Sequence, residues 1–255
     1  MFTTTLLLLC CVAFTAGFVD AIVGGGGLIQ VPSSILLLPQ YPVATVIGSL
    51  KIPAFSGTSF AAYQYVKRQV IDWRLLGMMM CIAFVSAFAG SQLLTIVNNS
   101  FMKPLLLVVL SFVAIYTYTK KNFGQHVQKS HSKQTKKIYA VAISIVIGLY
   151  DGFVGPGTGS FLVLAFVSVM GYDFLHASAK AKMVNLATNL GSIILFMLKG
   201  KIVWSIALPM AASNALGGML GAKFAIKKGN KFIRIFFLII VSATLLRFAY
   251  DIFMQ

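Results

Sequence analysis

Long apolar stretches separated by short polar segments run along the whole chain. Most of them reach the length of about 20 residues that a helix needs to cross a bilayer. Because a chain in lipid must satisfy its backbone hydrogen bonds internally, the pattern predicts an all-α polytopic membrane protein. The apolar segments lie at roughly 5–38, 43–66, 73–97, 103–119, 138–170, 174–198, 202–222 and 232–252, about eight in all.

Two of these segments, the first and the fifth, are about 33 residues long, and an unbroken helix of that length would extend about 50 Å. Glycine interrupts each of them near its middle, as GGGG at 24–27 and as GPGTG at 155–159. We therefore predict that each is a broken helix whose second piece has about 11 residues, half the length of a span. Counting the pieces separately gives ten helices.

An internal repeat relates the two halves of the chain at a fixed offset of 131 residues. Rare residue types coincide at this offset, and both tryptophans of the protein are paired. We predict an N-terminal transmembrane repeat at 1–119, a basic inter-repeat loop at 120–137 and a C-terminal transmembrane repeat at 138–255. The identities are Gly17/Gly148, Asp20/Asp151, Gly24/Gly155, Gly26/Gly157, Tyr41/Tyr172, Lys51/Lys182, Trp73/Trp204 and Gly90/Gly221.

The composition excludes a soluble protein, because 58% of the residues are apolar and only 10% are charged. Lys and Arg number 21 against five acidic residues, a net charge of +16 that would suggest nucleic acid binding in a soluble chain. Here most of the cations fall in short loops, where they set membrane orientation. We expect the lipid bilayer as a partner and no nucleic acid.

The loop charges distinguish two arrangements of the halves. If each broken segment crosses once, the two sides carry 11 and 6 cations; if each returns as a hairpin, they carry 14 and 3. Because cytoplasmic loops are enriched in Lys and Arg, the second count predicts inverted repeats with both termini outside. The single crossing remains the alternative.

Lys51 and Lys182 each lie nine residues after the predicted start of a helix, about 13.5 Å into the membrane. A lysine at this depth costs at least about 2.5–3.5 kcal/mol, so such residues usually serve a ligand or an ion path. Alternatively, they snorkel or form static ion pairs with Asp20 or Asp151. Those aspartates are candidates for binding a coupling proton or sodium ion, or else cap a helix.

The glycine breaks are candidate anion sites, because unwound backbone exposes N–H groups and the following half-helix presents its positive dipole end. The alternative is that these glycines only allow close helix packing. Asn185 and Asn189 follow Lys182 on one helix face. The predicted substrate-binding residues are Lys51, Lys182, Asn185, Asn189, Gly26, Gly27, Gly157, Thr158, Gly159 and Ser160.

The motifs together resemble the TauE/SafE sulfite-exporter family of membrane permeases. The resemblance rests on GFVDAIVGGGGLIQVP at 17–32, GLYDGFVGPGTGSFLV at 148–163 and AKAKMVNLATNLGSIILF at 179–196. It implies secondary transport, namely export, of small sulfur-containing anions such as sulfite, sulfoacetate or related organosulfonates. The first half departs from the second, since Ala54 and Thr58 stand where Asn185 and Asn189 do.

We therefore expect a secondary transporter of the bacterial inner membrane that moves a small anion by alternating access. A membrane scaffold or assembly protein and a permease for a different small organic anion remain alternatives. An enzyme or redox carrier is disfavoured, because the three Cys and three His residues form no CxxC motif or metal-ligand cluster. We expect no metal and no cofactor.

Overall fold

The computed structural model describes residues 2–69, 71–97 and 132–253, so the predicted span at 103–119 and most of the predicted loop lie outside it. Regular structure in the described ranges is entirely helical. Three helical stretches in these ranges are long and apolar enough to cross a membrane: Thr3–Val23, Trp73–Ile96 and Phe174–Leu198. The helices are α1 (Phe2–Val23), α2 (Gly26–Leu37), α3 (Val43–Val66), α4 (Trp73–Ile96), α5 (Lys133–Phe153), α6 (Thr158–Ser168), α7 (Phe174–Leu198) and α8 (Trp204–Phe253).

Helix α5 begins at Lys133, so the last residues of the predicted inter-repeat loop are helical. Ser132 explains this start, because its hydroxyl accepts a hydrogen bond of 3.1 Å from the backbone N–H of Thr135. Such an N-cap satisfies one of the donors that a helix leaves free at its first turn. The first turn of α5 therefore forms among polar residues, before the apolar run starts.

Both predicted helix breaks are present. Gly24, between α1 and α2, has a φ of +79°, and Gly155 and Gly157, between α5 and α6, have φ of +89° and +82°. Only glycine adopts this left-handed conformation without steric cost, which is why the helices end where they do. The half-helices α2 and α6 have 12 and 11 residues.

Each half-helix folds back along the helix that precedes it. A Cβ at Gly26 would lie 2.3 Å from the carbonyl oxygen of Ala16, although ten residues of straight helix extend about 15 Å. In the second half, the rings of Tyr150 and Phe161 meet edge to face with centroids 5.3 Å apart. The chain therefore reverses at both breaks.

The helices that carry Lys51 and Lys182, α3 and α7, run in opposite directions. Val43 at the start of α3 shares an apolar cluster with Phe196 at the end of α7. Tyr65 at the end of α3 shares the second apolar cluster with Phe174 at the start of α7. Helices that are equivalent by sequence offset are therefore antiparallel in space.

Cations concentrate at the end of the molecule where α3 ends and α7 begins, which we call the basic end. The N-terminus of α7 is tied there to the kink in α8 at Gly229, because the N–H of Leu175 donates to Asn230 Oδ1 at 2.7 Å. Lys199 and Lys201, between α7 and α8, lie at the opposite end. The loop and helix-end cations described at the basic end are Lys67, Arg68, Arg74, Lys133, Lys136, Lys137, Lys223, Lys227, Lys228 and Lys231.

Candidate functional site

A small cavity of about 60 Å³ lies in the core where the two helix breaks meet. Its walls come from α1, α2, α3, α5, α6, α7, α8 and both breaks. Ten of the predicted substrate-binding and coupling-ion residues line this cavity. The other two, Lys182 and Ser160, do not line it. Those ten are Asp20, Gly26, Gly27, Lys51, Asp151, Gly157, Thr158, Gly159, Asn185 and Asn189.

Lys51 crosses from the first half to the second. Its Nζ lies 2.9 Å from Asp151 Oδ2 and donates a second hydrogen bond of 2.7 Å to the main-chain oxygen of Asp151. That carbonyl belongs to the last turn of α5, where helix carbonyls lack intrahelical partners and the helix dipole is negative. The two side chains are only 6% and 3% exposed. A single ammonium group thus satisfies both a buried carboxylate and a helix end.

Lys182 makes the reciprocal contact from the second half to the first. Its Nζ lies 2.6 Å from Asp20 Oδ2 and also bonds the main-chain oxygen of Asp20, in the last turn of α1. The carboxylate of Asp20 is more accessible than that of Asp151, at 19% exposed against 3%. Both lysines are therefore ion-paired in this conformation, and two ammonium groups balance two carboxylates.

The helix ends at the cavity supply backbone donors. Gly26 and Gly27 at the start of α2, and Thr158 and Gly159 at the start of α6, all line it. The first four N–H groups of any helix lack intrahelical acceptors and carry a positive partial charge. The two breaks thus direct two positive helix termini at one small volume.

Ser160 holds the two breaks together. Its N–H donates to the carbonyl oxygen of Gly24 and its hydroxyl to that of Val23, both at 3.0 Å. The hydroxyl of Thr158 is also engaged locally, with a bond of 2.7 Å to the carbonyl oxygen of Gly155. These two hydroxyls therefore brace the backbone that surrounds the cavity.

Asn185 and Asn189 contribute amide groups from one face of α7, as their spacing predicts. Both side chains are buried, and Asn189 Nδ2 donates to the main-chain oxygen of Asn185 at 2.9 Å. On the facing helix α3, Thr58 also lines the cavity and its hydroxyl lies 3.5 Å from Asp20 Oδ2. At these equivalent positions, the first half therefore supplies the hydroxyl of Thr58 and the second half supplies the amide of Asn189.

Sequence reasoning missed a second amide pair, Gln30 on α2 and Asn214 on α8. Both line the cavity, and Asn214 Nδ2 lies 3.3 Å from Gln30 Oε1. Gln30 is 4% exposed, and its Nε2 has no hydrogen-bond partner among the described residues. Their positions in the sequence could have identified them as polar residues near the breaks and deep in a span. Gln30 comes four residues after Gly26, and Asn214 comes ten residues after Trp204, about 15 Å along its helix.

The sequence of the chain matches a known protein family and several relatives. The family model for the sulfite exporter TauE/SafE matches residues 9–248. A probable membrane transporter protein of Haemophilus influenzae is 34% identical over 229 residues, covering 90% of this chain and 88% of the relative.

Two further relatives carry similar names. The probable membrane transporter protein ORF9 of a Sinorhizobium species is 34% identical over 239 residues, with 94% and 90% of the two chains covered. The probable membrane transporter protein YfcA of Escherichia coli K12 is 29% identical over 244 residues, with 94% and 88% covered. No solved structure matches the chain. This protein therefore belongs to the TauE/SafE sulfite exporter family of membrane transporters.

Proposed function

We propose that the protein is a secondary transporter, not an enzyme, that exports a small sulfur-containing oxyanion across the bacterial inner membrane by alternating access. The central cavity is the binding site, and one observation carries this proposal. Two helix N-termini, four side-chain amides and Lys51 surround one buried volume at the junction of the two helix breaks. Broken helices that meet at the midplane are where secondary transporters hold substrate and coupling ions.

The size of the cavity favours a compact substrate. At about 60 Å³, the cavity is well below the roughly 300–1,000 Å³ of sites that take drug-sized ligands. Sulfite suits this volume better than a longer organosulfonate does. Among the residues that the structure describes, no arginine lines the cavity to clamp a substrate with two hydrogen bonds, which also suits a small and loosely coordinated anion.

The two ion pairs offer a way to couple substrate binding to the binding of a proton or sodium ion. With Lys51 and Lys182 neutralised by Asp151 and Asp20, the four charges sum to zero and leave little attraction for an anion. A proton or sodium ion that neutralises a carboxylate releases its lysine, whose ammonium can then face the substrate. Asp20 is the first candidate, since its carboxylate is the more accessible.

The halves form inverted repeats, each with a re-entrant hairpin, and both termini lie outside. The reversal of the chain at each break and the antiparallel run of α3 and α7 support this arrangement. The distribution of described cations supports placing the basic end in the cytoplasm. Inverted halves around a midplane site are the architecture that alternating access exploits.

Flux measurements with purified protein in liposomes test the proposal. We expect sulfite to move faster than sulfoacetate, acetate to move least, and an imposed pH or sodium gradient to drive the flux. The proposal fails if none of these anions moves and none raises the thermal stability of the protein. A scaffold or assembly protein would give that result, with the ion pairs serving stability alone.

A further inference from the structure

A second and much larger concave surface lies at the basic end, between α3 and α8, with a volume of about 920 Å³. It shares no lining residue with the central cavity. Gln64 ties its two walls together, because its Nε2 donates to the carbonyl oxygen of Met219 at 2.8 Å. This groove, the α3–α8 groove, is lined by Ser59, Phe60, Tyr63, Gln64, Lys67, Arg68, Met219, Lys223, Ile226 and Lys227.

One part of the groove is apolar and open to its surroundings. Phe60 is 48% exposed and Tyr63 is 60% exposed, and Met219 and Ile226 line the facing wall. On a membrane protein, apolar side chains near the end of a span lie against lipid chains and headgroups. This wall therefore has the chemistry to contact acyl chains.

The other part of the groove is strongly positive. Four cations, Lys67, Arg68, Lys223 and Lys227, line it, and no acidic side chain does so in the part of the chain that the structure describes. Lys67 Nζ lies 4.1 Å above the ring centroid of Tyr63, which fixes one charge beside the apolar wall. The apolar part of the groove is followed by the cationic part. In a phospholipid, the acyl chains are followed by the phosphate in the same order.

We propose that the α3–α8 groove binds an anionic phospholipid, with its phosphate at the four cations and its acyl chains along Phe60 and Tyr63. Basic pockets between transmembrane helices are known to suit anionic lipid headgroups. A second copy of this chain is a poor occupant, because a two-fold contact through this face would bring two sets of four positive charges together. The site is independent of the transport proposal.

The test compares lipid binding to the purified full chain by native mass spectrometry. We expect phosphatidylglycerol to bind roughly tenfold or more tightly than zwitterionic phosphatidylcholine. Replacing Lys223→Gln together with Lys227→Gln abolishes this preference. The matched control, Lys199→Gln with Lys201→Gln, removes the same charge from the opposite end and keeps the preference. Thermal unfolding in phosphatidylcholine, expected to be equal for both double variants, verifies that each folds.

Other results would overturn the proposal. Equal binding of the two lipids, or equal loss in both double variants, means that the groove does not select anionic lipid. Glycerol phosphate that competes as strongly as the intact lipid identifies a phosphate site that does not use the apolar wall. A change in oligomeric state in the groove variant, with lipid preference intact, assigns the face to a second copy of the chain.

Discussion

Lys51 and Asp151 come from opposite halves of the chain, and Lys51 Nζ lies 2.9 Å from Asp151 Oδ2. The equivalent residues Lys182 and Asp20 form the same pair in reverse, at 2.6 Å. Each half thus supplies the ammonium that caps the broken helix of the other. Any rearrangement of one half against the other must act on these two contacts.

Removal of one partner of the Lys51–Asp151 pair should lower the stability of the protein far more than removal of both partners. The variant Lys51→Met leaves the carboxylate of Asp151 buried and uncompensated, which we expect to cost about 3–5 kcal/mol of stability. The double variant Lys51→Met with Asp151→Leu replaces the pair by apolar side chains and should fold nearly as well as the parent. Thermal unfolding of the three purified proteins checks this order.

The same double variant separates transport from structure. We expect it to fold but to lose sulfite flux, because the cavity has lost its only lining ammonium among the described residues. Lys133→Met, an exposed lysine at the start of α5, serves as the control and should retain flux. Normal flux in the double variant would remove Lys51 from the mechanism.

The sequence was sufficient to predict both helix breaks. Close helix packing does not require four consecutive glycines, so the run at 24–27 favoured a break in the helix. The partners of Lys51 and Lys182 were left open, because an internal offset identifies equivalent residues but not the surfaces that meet. The antiparallel contact of α3 with α7 brings each lysine to the aspartate of the other half.

Gln30 and Asn214 were missed for a different reason. Each is a lone amide in an apolar helix, and no repeat partner draws attention to it, since Phe161 and Ala83 occupy the equivalent positions. Only the packing brings them together, around glycines that leave room for the amide. A Cβ at Gly57 would lie 1.9 Å from Asn214 Oδ1.

The contact between the breaks should not tolerate a single added methyl group. In Gly24→Ala the new Cβ would lie 2.1 Å from a backbone carbon of Gly159, at a φ of +79° that alanine disfavours. We expect a loss of more than about 2 kcal/mol in the free energy of unfolding. Gly77→Ala is the matched control, because nothing lies within 4 Å of its Cβ position inside α4. The Gly77→Ala variant should be more stable than the parent by about 0.5–1 kcal/mol. Equal effects of the two substitutions on the free energy of unfolding would contradict the close approach of Gly24 to Gly159.

Gln30→Leu should weaken substrate binding in a protein that still folds. The amide Nε2 of Gln30 has no partner among the described residues, but loss of Oε1 takes away the acceptor of Asn214 Nδ2, which we expect to cost about 1–3 kcal/mol of stability. A hydrogen bond to an anion is worth about 1.5–3 kcal/mol, so we expect KM for sulfite to rise roughly tenfold to a hundredfold. Gln92→Leu, a half-buried position on α4 outside the cavity lining, is the control. An unchanged KM in Gln30→Leu would exclude it from the binding site.

The arrangement of the halves can be tested by labelling single cysteines with a membrane-impermeant maleimide, after Cys10, Cys11 and Cys81 have been replaced. Inverted halves place Lys67 and Lys199 on opposite sides of the membrane. We therefore expect Lys199→Cys to react in intact cells.

Lys67→Cys and Lys227→Cys should react only after permeabilisation, because both line the α3–α8 groove at the basic end. If each broken segment crossed once, Lys67 and Lys199 would share one side and Lys227 would lie on the other. Joint labelling of Lys67→Cys and Lys199→Cys from outside would therefore overturn the inverted arrangement and, with it, the assignment of the basic end to the cytoplasm.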